Sequence, residues 1–108
     1  MKIETMSHKY AVSGQIAPDD LRVIAQAGYK SVVCMRPDNE EPGQARFDDI
    51  ARTANAFGVR SVHIPVSGSA TRSQVSRFRE VCENLPKPVL GYCRSGARAS
   101  SIYHSSRH

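Results

Sequence analysis

Five consecutive residues, Ser31-Val32-Val33-Cys34-Met35, constrain this chain more than any other segment. The run is β-prone, too short for a helix and too apolar for a strand with one wet face, so it belongs in the middle of a sheet with both faces covered. Helical patterns stand on either side of it. Before it, Pro18 at a first helical position, Asp19 and Asp20 in the first turn, and Leu21, Ile24 and Ala25 at helical spacing predict a helix ending at Gly28. After it, the turn-rich stretch 37–43 leads to a second helix carrying Phe47, Ile50, Ala51, Ala54 and Phe57, stopped by Gly58, with Asp48 and Asp49 on its solvated face.

The alternation continues. Val59 to Val66 reads as a strand, and Thr71 or Ser69 caps a helix with Val75, Phe78, Val81, Cys82 and Leu85 on one stripe, closed by Pro86 and Pro88. Val89-Leu90-Gly91-Tyr92 is the last strand; Tyr10 to Ser13 forms a short early one, with another around Ile3 to Met6. Strands alternating with helices of this length imply parallel pairing, so the fold class is α/β: a mostly parallel sheet of four to five strands with helices on both faces. At 108 residues, positions 1–108 make one domain. Ala99 to Tyr103 allows about one helical turn and Ser105-Ser106-Arg107-His108 has no apolar periodicity, so the C-terminal helices are expected to be shortened and the sheet face behind the last loop poorly covered.

Ligands of such sheets bind where loops leave the carboxyl ends of strands. The loop after Tyr92 is Cys93-Arg94-Ser95-Gly96-Ala97-Arg98. Gly96 allows a tight turn that points successive N–H groups inward, and a helix starting there adds its positive end. Such a cradle holds an oxyanion and stabilises a thiolate, which makes Cys93 a nucleophile rather than a structural thiol. Arg98 presents a planar fork to two oxygens at once, which Lys cannot do. Arg94, Ser95, Gly96, Ala97 and Ser100 are the expected substrate-binding residues.

Charge agrees with an anionic ligand. Residues 1–59 hold seven basic and eight acidic side chains, giving −1, and residues 60–108 hold eight and two, giving +6. The basic residues are scattered, Trp is absent and no aromatic-basic interleaving forms a stacking platform, so nucleic acid is not the expected partner. No apolar run approaches the roughly 20 residues that span a bilayer, and the N-terminus lacks an apolar secretory core, so no membrane partner is expected and a cytoplasmic, reducing location is the default. Cys34, Cys82 and Cys93, without a Cys-x-x-Cys spacing, suggest neither a disulfide framework nor a zinc site. No metal and no cofactor are expected.

Four segments, Tyr10-Ala11-Val12-Ser13-Gly14-Gln15, Val32-Val33-Cys34-Met35-Arg36-Pro37-Asp38-Asn39-Glu40, His63-Ile64-Pro65-Val66 and Tyr92-Cys93-Arg94-Ser95-Gly96-Ala97-Arg98, resemble the landmarks of the phosphatase-like domain of beta-lactamase-hydrolase-like proteins, from about residue 8 to residue 101. That resemblance implies a fold similar to dual-specificity tyrosine phosphatases. It also implies a Cys-dependent phosphatase, or a rhodanese-like sulfurtransferase, since the domain occurs fused to persulfide dioxygenase-type modules of sulfide detoxification. The sequence departs from the tyrosine phosphatase pattern at three places. Arg98 stands five rather than six positions after Cys93, Tyr92 replaces a histidine, and the loop from Ser67 to Arg72 has no carboxylate to act as general acid. Asp38 is the replacement on topological grounds, because its strand should neighbour the Cys93 strand and bring both loops to one edge.

The reading that follows is attack by Cys93 on a phosphomonoester to give a thiophosphate. Its partner would be a small anionic substrate or a phosphorylated protein. The alternatives are a persulfide carried on Cys93, with a persulfide dioxygenase-type partner, and a non-catalytic anion-binding module. Cys34 and Cys82 read as small hydrophobes, His63 as a packing or backbone-bonding residue, His8, His104 and His108 as exposed, and Arg36 as a solvated charge.

Overall fold

The protein was analysed as a computed structural model, which describes residues 1–107; His108 lies outside the described residues. The elements in order are β1 (Ile3–Thr5), β2 (Tyr10–Ser13), α1 (Asp20–Gln26), β3 (Ser31–Cys34), α2 (Phe47–Ala56), β4 (Arg60–His63), α3 (Arg72–Asn84), β5 (Val89–Tyr92) and α4 (Ala97–Ser106). The sheet order is β1-β2-β5-β3-β4, with β1 antiparallel to β2 and every other pairing parallel. This is the expected α/β architecture, a mostly parallel five-stranded sheet covered on both faces. Among the described residues no helix is long and apolar enough to cross a membrane.

β3 and β5 lie inside the sheet, and every residue of both is buried. Alternation sorts their side chains between two cores. Val33 and Met35 join Tyr10, Val12, Ile64, Phe78 and Ile102 on one face, while Val32, Cys34, Leu90 and Tyr92 join Leu21, Ile24, Ile50 and Ala54 on the other. α3 and α4 therefore cover the first face and α1 and α2 the second. Burying each such aliphatic side chain contributes roughly 1.5–3 kcal/mol, so two faces of this size hold the sheet without help from disulfides.

Several boundaries differ from the sequence reading for local reasons. α1 begins at Asp20, with Pro18 in the preceding turn, because the Asp20 carboxylate accepts the Ala17 N–H at 2.8 Å and closes that turn. β4 covers Arg60–His63 instead of Val59 to Val66, although Ile64 and Val66 continue to donate to Cys34 and Met35 carbonyls across the strand end. Thr71 is the cap of α3, in a reciprocal capping box with Gln74.

The largest difference is at the end. α4 has ten residues where about one turn was expected, and it covers the face behind the Cys93 loop. Its apolar contribution is only Ala99, Ile102 and Tyr103, spaced to fall on one side. Tyr103 stacks on Tyr10 at 4.8 Å, the Tyr10 hydroxyl donates to the Ala99 carbonyl, and Arg79 of α3 donates to Ser106. Tertiary contacts, which periodicity cannot reveal, hold this helix.

Tyr10 reaches α4 by crossing the strand at Gly91. A Cβ on Gly91 would sit 1.9 Å from the Tyr10 hydroxyl oxygen and 2.9 Å from the Met35 methyl. Gly91→Ala is therefore expected to destabilise the fold by about 1–3 kcal/mol or more, through overpacking and displacement of α4. Urea denaturation of the variant against wild type measures it, and an unchanged midpoint would show that Tyr10 does not anchor α4.

Candidate active site

The carboxyl edge of the sheet places three strand ends side by side. Cys93 follows β5 directly. On one side Cys93 N–H donates to the Ser13 carbonyl at 3.4 Å and Gln15 N–H to the Arg94 carbonyl at 3.2 Å; on the other Met35 N–H donates to the Tyr92 carbonyl at 2.8 Å. Gly14 lies so close that a Cβ there would be 3.0 Å from the Arg94 carbonyl oxygen. The end of β2 is thus a backstop for the loop.

Within the loop, Gly96 takes φ +96°, left-handed backbone that favours glycine, and turns the chain into α4. Its N–H donates to the Cys93 sulfur at 3.1 Å, and Ala97 N–H to the Ser95 hydroxyl at 3.3 Å. Among the described residues the N–H groups of Arg94, Ser95 and Arg98 have no protein acceptor. Unpaired amides around a thiol at the positive end of a ten-residue helix are an arrangement that can hold an anion. The thiol itself is fully buried at its floor. Ser95, Gly96, Ala97 and Ser100 line a groove on the β1–β2 side of the loop, while Arg94 and Arg98 extend to the β3 side.

On that side the charges alternate. Arg98 bonds both oxygens of Glu40, Glu40 also accepts from Arg36 Nε at 2.8 Å, Arg36 Nη2 lies 3.1 Å from Glu41, and Glu41 pairs with Arg94. Arg36 is the centre. It is only 3% exposed, so the expectation of a solvated charge does not hold: the guanidinium is buried and is compensated by two carboxylates and the Gln15 side-chain oxygen. The Arg98 and Arg36 guanidinium groups hold the Glu40 carboxyl at about 2, far below its ordinary value of about 4.5. Glu40 in turn raises Arg98, whose guanidinium also faces the Cys93 sulfur.

Asp38 stands elsewhere in the same loop. Its Oδ1 accepts the Phe47 N–H at 2.9 Å, tying the loop to the start of α2, and its other oxygen has no protein partner among the described residues. The carboxylate brought to Arg98 is Glu40. Sequence reasoning passed over Glu40, Glu41, Gly14 and Gln15 as site residues, and over Arg36 as their buried partner. The available signal was two acids in a loop already placed at the cradle's edge. His63 behaves as expected, its Nε2 bonded to the Arg36 carbonyl at 2.8 Å and its ring stacked on Phe47. Burial raises the Cys34 thiol and pushes Cys82 up to about 12, which leaves both protonated at neutral pH.

The phosphatase-like domain of beta-lactamase hydrolase-like proteins matches residues 2–107. The chain belongs to this family. It is 35% identical over 104 residues to the beta-lactamase hydrolase-like protein of Xylella fastidiosa strain Temecula1 and 32% identical to that of Agrobacterium fabrum, covering 95% of this chain in each case. It spans about a quarter (24%) of the length of those relatives. A solved candidate phosphatase of Neisseria meningitidis Z2491 superposes with a TM-score of 0.92 at 34% identity, over 99% of this chain and 77% of that one. The active form of Tk-PTP shares the fold at a TM-score of 0.67 and 20% identity, covering 97% and 80%. The domain is therefore phosphatase-like, with a tyrosine-phosphatase-like fold.

The charge network has a consequence for acid stability. A carboxyl held at about 2 in the folded state and near 4.5 when unfolded contributes stability that is complete above about 4.5 and is lost as pH falls toward 2. Glu40→Gln removes that contribution, so its stability should fall less steeply than wild type between pH 5 and 2. Denaturation midpoints across that range measure the difference; parallel curves would mean that Glu40 is not bound to the arginines in solution.

Proposed function

We propose that the domain hydrolyses a phosphomonoester of a small anionic molecule or a phosphorylated protein through Cys93. The observation that carries the reading is the convergence of a buried thiol, unpaired loop amides and the Arg98 fork on one point. The Cys93 thiolate attacks phosphorus, a sulfur–phosphorus bond forms and the ester oxygen leaves with its electron pair. The amides and Arg98 hold the equatorial oxygens, where charge is greatest in the transition state. Water then attacks the thiophosphate, releasing phosphate and restoring the thiolate. Asp38, whose second oxygen is unengaged, is the proton donor to the leaving oxygen and the acceptor from water in this reading.

The five-position spacing of Arg98 favours a second reading. A smaller ring suits a sulfane sulfur carried on Cys93 as a persulfide and passed to another thiol, a route that needs no general acid.

Cys93→Ser is expected to abolish turnover on aryl phosphate and on thiosulfate with a thiol acceptor, with the fold and sulfate binding retained, because an alcohol ionises far less readily than a thiol. Retained turnover removes Cys93 from the mechanism. Asp38→Asn separates the two enzymatic readings. General acids contribute about 10²- to 10⁴-fold on poor leaving groups, so the variant should lose that much on an alkyl phosphate, little on a nitrophenyl phosphate and nothing on a sulfur donor. An equal small loss on all three removes Asp38 as the proton donor.

A further inference from the structure

The amino edge of the sheet, opposite the Cys93 loop, carries a second cavity of about 450 Å³, bordered by α3, α4 and the starts of β2 and β5. Val89 opens β5 and Cys93 follows four residues later. At about 3.3 Å per residue the two sites therefore lie roughly 13 Å apart along the strand.

The floor of this cavity is apolar and aromatic. Tyr10, Phe78 and Val89 are buried members of the α3–α4 core, and Tyr103 packs against them. The Tyr103 ring stacks on Tyr10 at 4.8 Å, and Phe78 meets Tyr10 edge-on at 5.4 Å. Such rings offer faces and edges on which a further ring packs. Cys82 adds a polarisable wall that stays neutral, because burial pushes its thiol up to about 12.

The rim is cationic. Lys9, Arg79, Lys87 and Arg107 border the cavity with Glu83 as the one acid, giving +3 among the described residues. Lys9, Lys87 and Arg107 pair with no carboxylate among those residues. Lys87 donates instead to the Glu83 and Leu85 carbonyls, and Arg107 to the Tyr103 hydroxyl. These bonds hold the charged heads beside the cavity without neutralising them. Lys9 and Lys87 also stand close together, since Val89 N–H donates to the Lys9 carbonyl at 2.8 Å.

A simple ligand satisfies only half of this lining. A bare anion leaves the aromatic floor in water, and a neutral hydrocarbon leaves the cations uncompensated. The volume falls within the range of about 300–1,000 Å³ typical of small-molecule sites. We propose that this cavity is a binding site for a flat aromatic molecule carrying one anionic group, its rings seated on Tyr10, Phe78 and Tyr103 and its anion held by Lys9 and Lys87. The site is separate from the Cys93 loop, and its occupancy is independent of any reaction there.

The probe that tests it is anilinonaphthalene sulfonate, compared with phenylnaphthylamine, the same ring system without the sulfonate. In fluorescence titrations the sulfonate should saturate a single site and bind about tenfold or more tighter than the neutral compound. Combining Lys9→Gln with Lys87→Gln should weaken the sulfonate by about tenfold or more and leave the neutral compound unchanged. By nitrogen-15 NMR the sulfonate should shift the amides of Lys9, Cys82 and Val89 and leave those of Ser95 to Arg98 in place. Both lysines are exposed. If the double variant does not fold, because Lys87 bonds the end of α3, Lys9→Gln alone carries the comparison. Equal affinity for the two compounds would reduce the cavity to an apolar groove, and shifts confined to Ser95 to Arg98 would place the sulfonate in the Cys93 loop. The same shifts produced by sulfate alone would make it a bare-anion site, and a dimer that the sulfonate dissociates would make the occupant a second copy of the chain. Each of these results overturns the proposal, as does the absence of binding.

Discussion

A guanidinium buried beneath the β3–α2 loop is the constraint around which the functional edge is arranged. Arg36 is next to the end of a fully buried strand, so its side chain has no route to bulk water and must be neutralised where it lies. Its partners come from different segments: Gln15 after β2, and Glu40 and Glu41 from the loop after β3. Those glutamates reach on to Arg98 and Arg94 of the Cys93 loop. One buried charge therefore ties together the three loops that leave the central strands. The mutual compensation also explains why acidic side chains sit beside the proposed anion site. Without them three guanidinium groups would repel one another around a single loop.

The parts of this arrangement that depend on local pattern were readable in the sequence. Ser31 to Met35 announces a central strand because both of its faces are apolar, and the Cys93 loop announces itself through Gly96 and the arginines at a strand end. The glutamates were not readable, because a short loop of Asp, Asn, Glu, Pro and Gly looks like a solvated turn whether or not its acids bend inward. Asp38 was singled out by topology, and topology does deliver its loop to the right edge. It cannot say which of three acids within four positions pairs with Arg98. α4 escaped detection for a different reason. Its stability comes from Tyr10 and Arg79, residues far away in sequence, and propensity is silent about such contacts.

The three thiols sit in different environments. Cys34 and Cys82 face apolar surroundings that penalise a charge, and burial raises both. Cys93 is as deeply buried as Cys34 and more so than the half-buried Cys82, yet its sulfur accepts a backbone N–H, lies at a helix N-terminus and faces a guanidinium. Burial alone therefore does not describe a thiol's setting; a buried site can also supply dipoles aimed at the sulfur.

The five-position spacing of Arg98 and the glutamate loop are linked by helix geometry. Arg98 is the second residue of α4, and each residue along a helix turns the side chain by roughly 100°. An arginine one place later, at position 99, would project to a different side; Ala99 in fact faces the core, fully buried beneath the Tyr10 hydroxyl that it accepts from. At position 98 the side chain instead emerges toward the ends of β3 and β4, where the Val66 carbonyl and Glu40 take the donors that the anion cannot use. The spacing in this sequence thus selects the direction from which the fork approaches Cys93. That direction in turn requires an acceptor on the β3 loop, so the Cys-x-x-Gly-x-Arg loop and the Arg36–Glu40 pair act as two halves of one device.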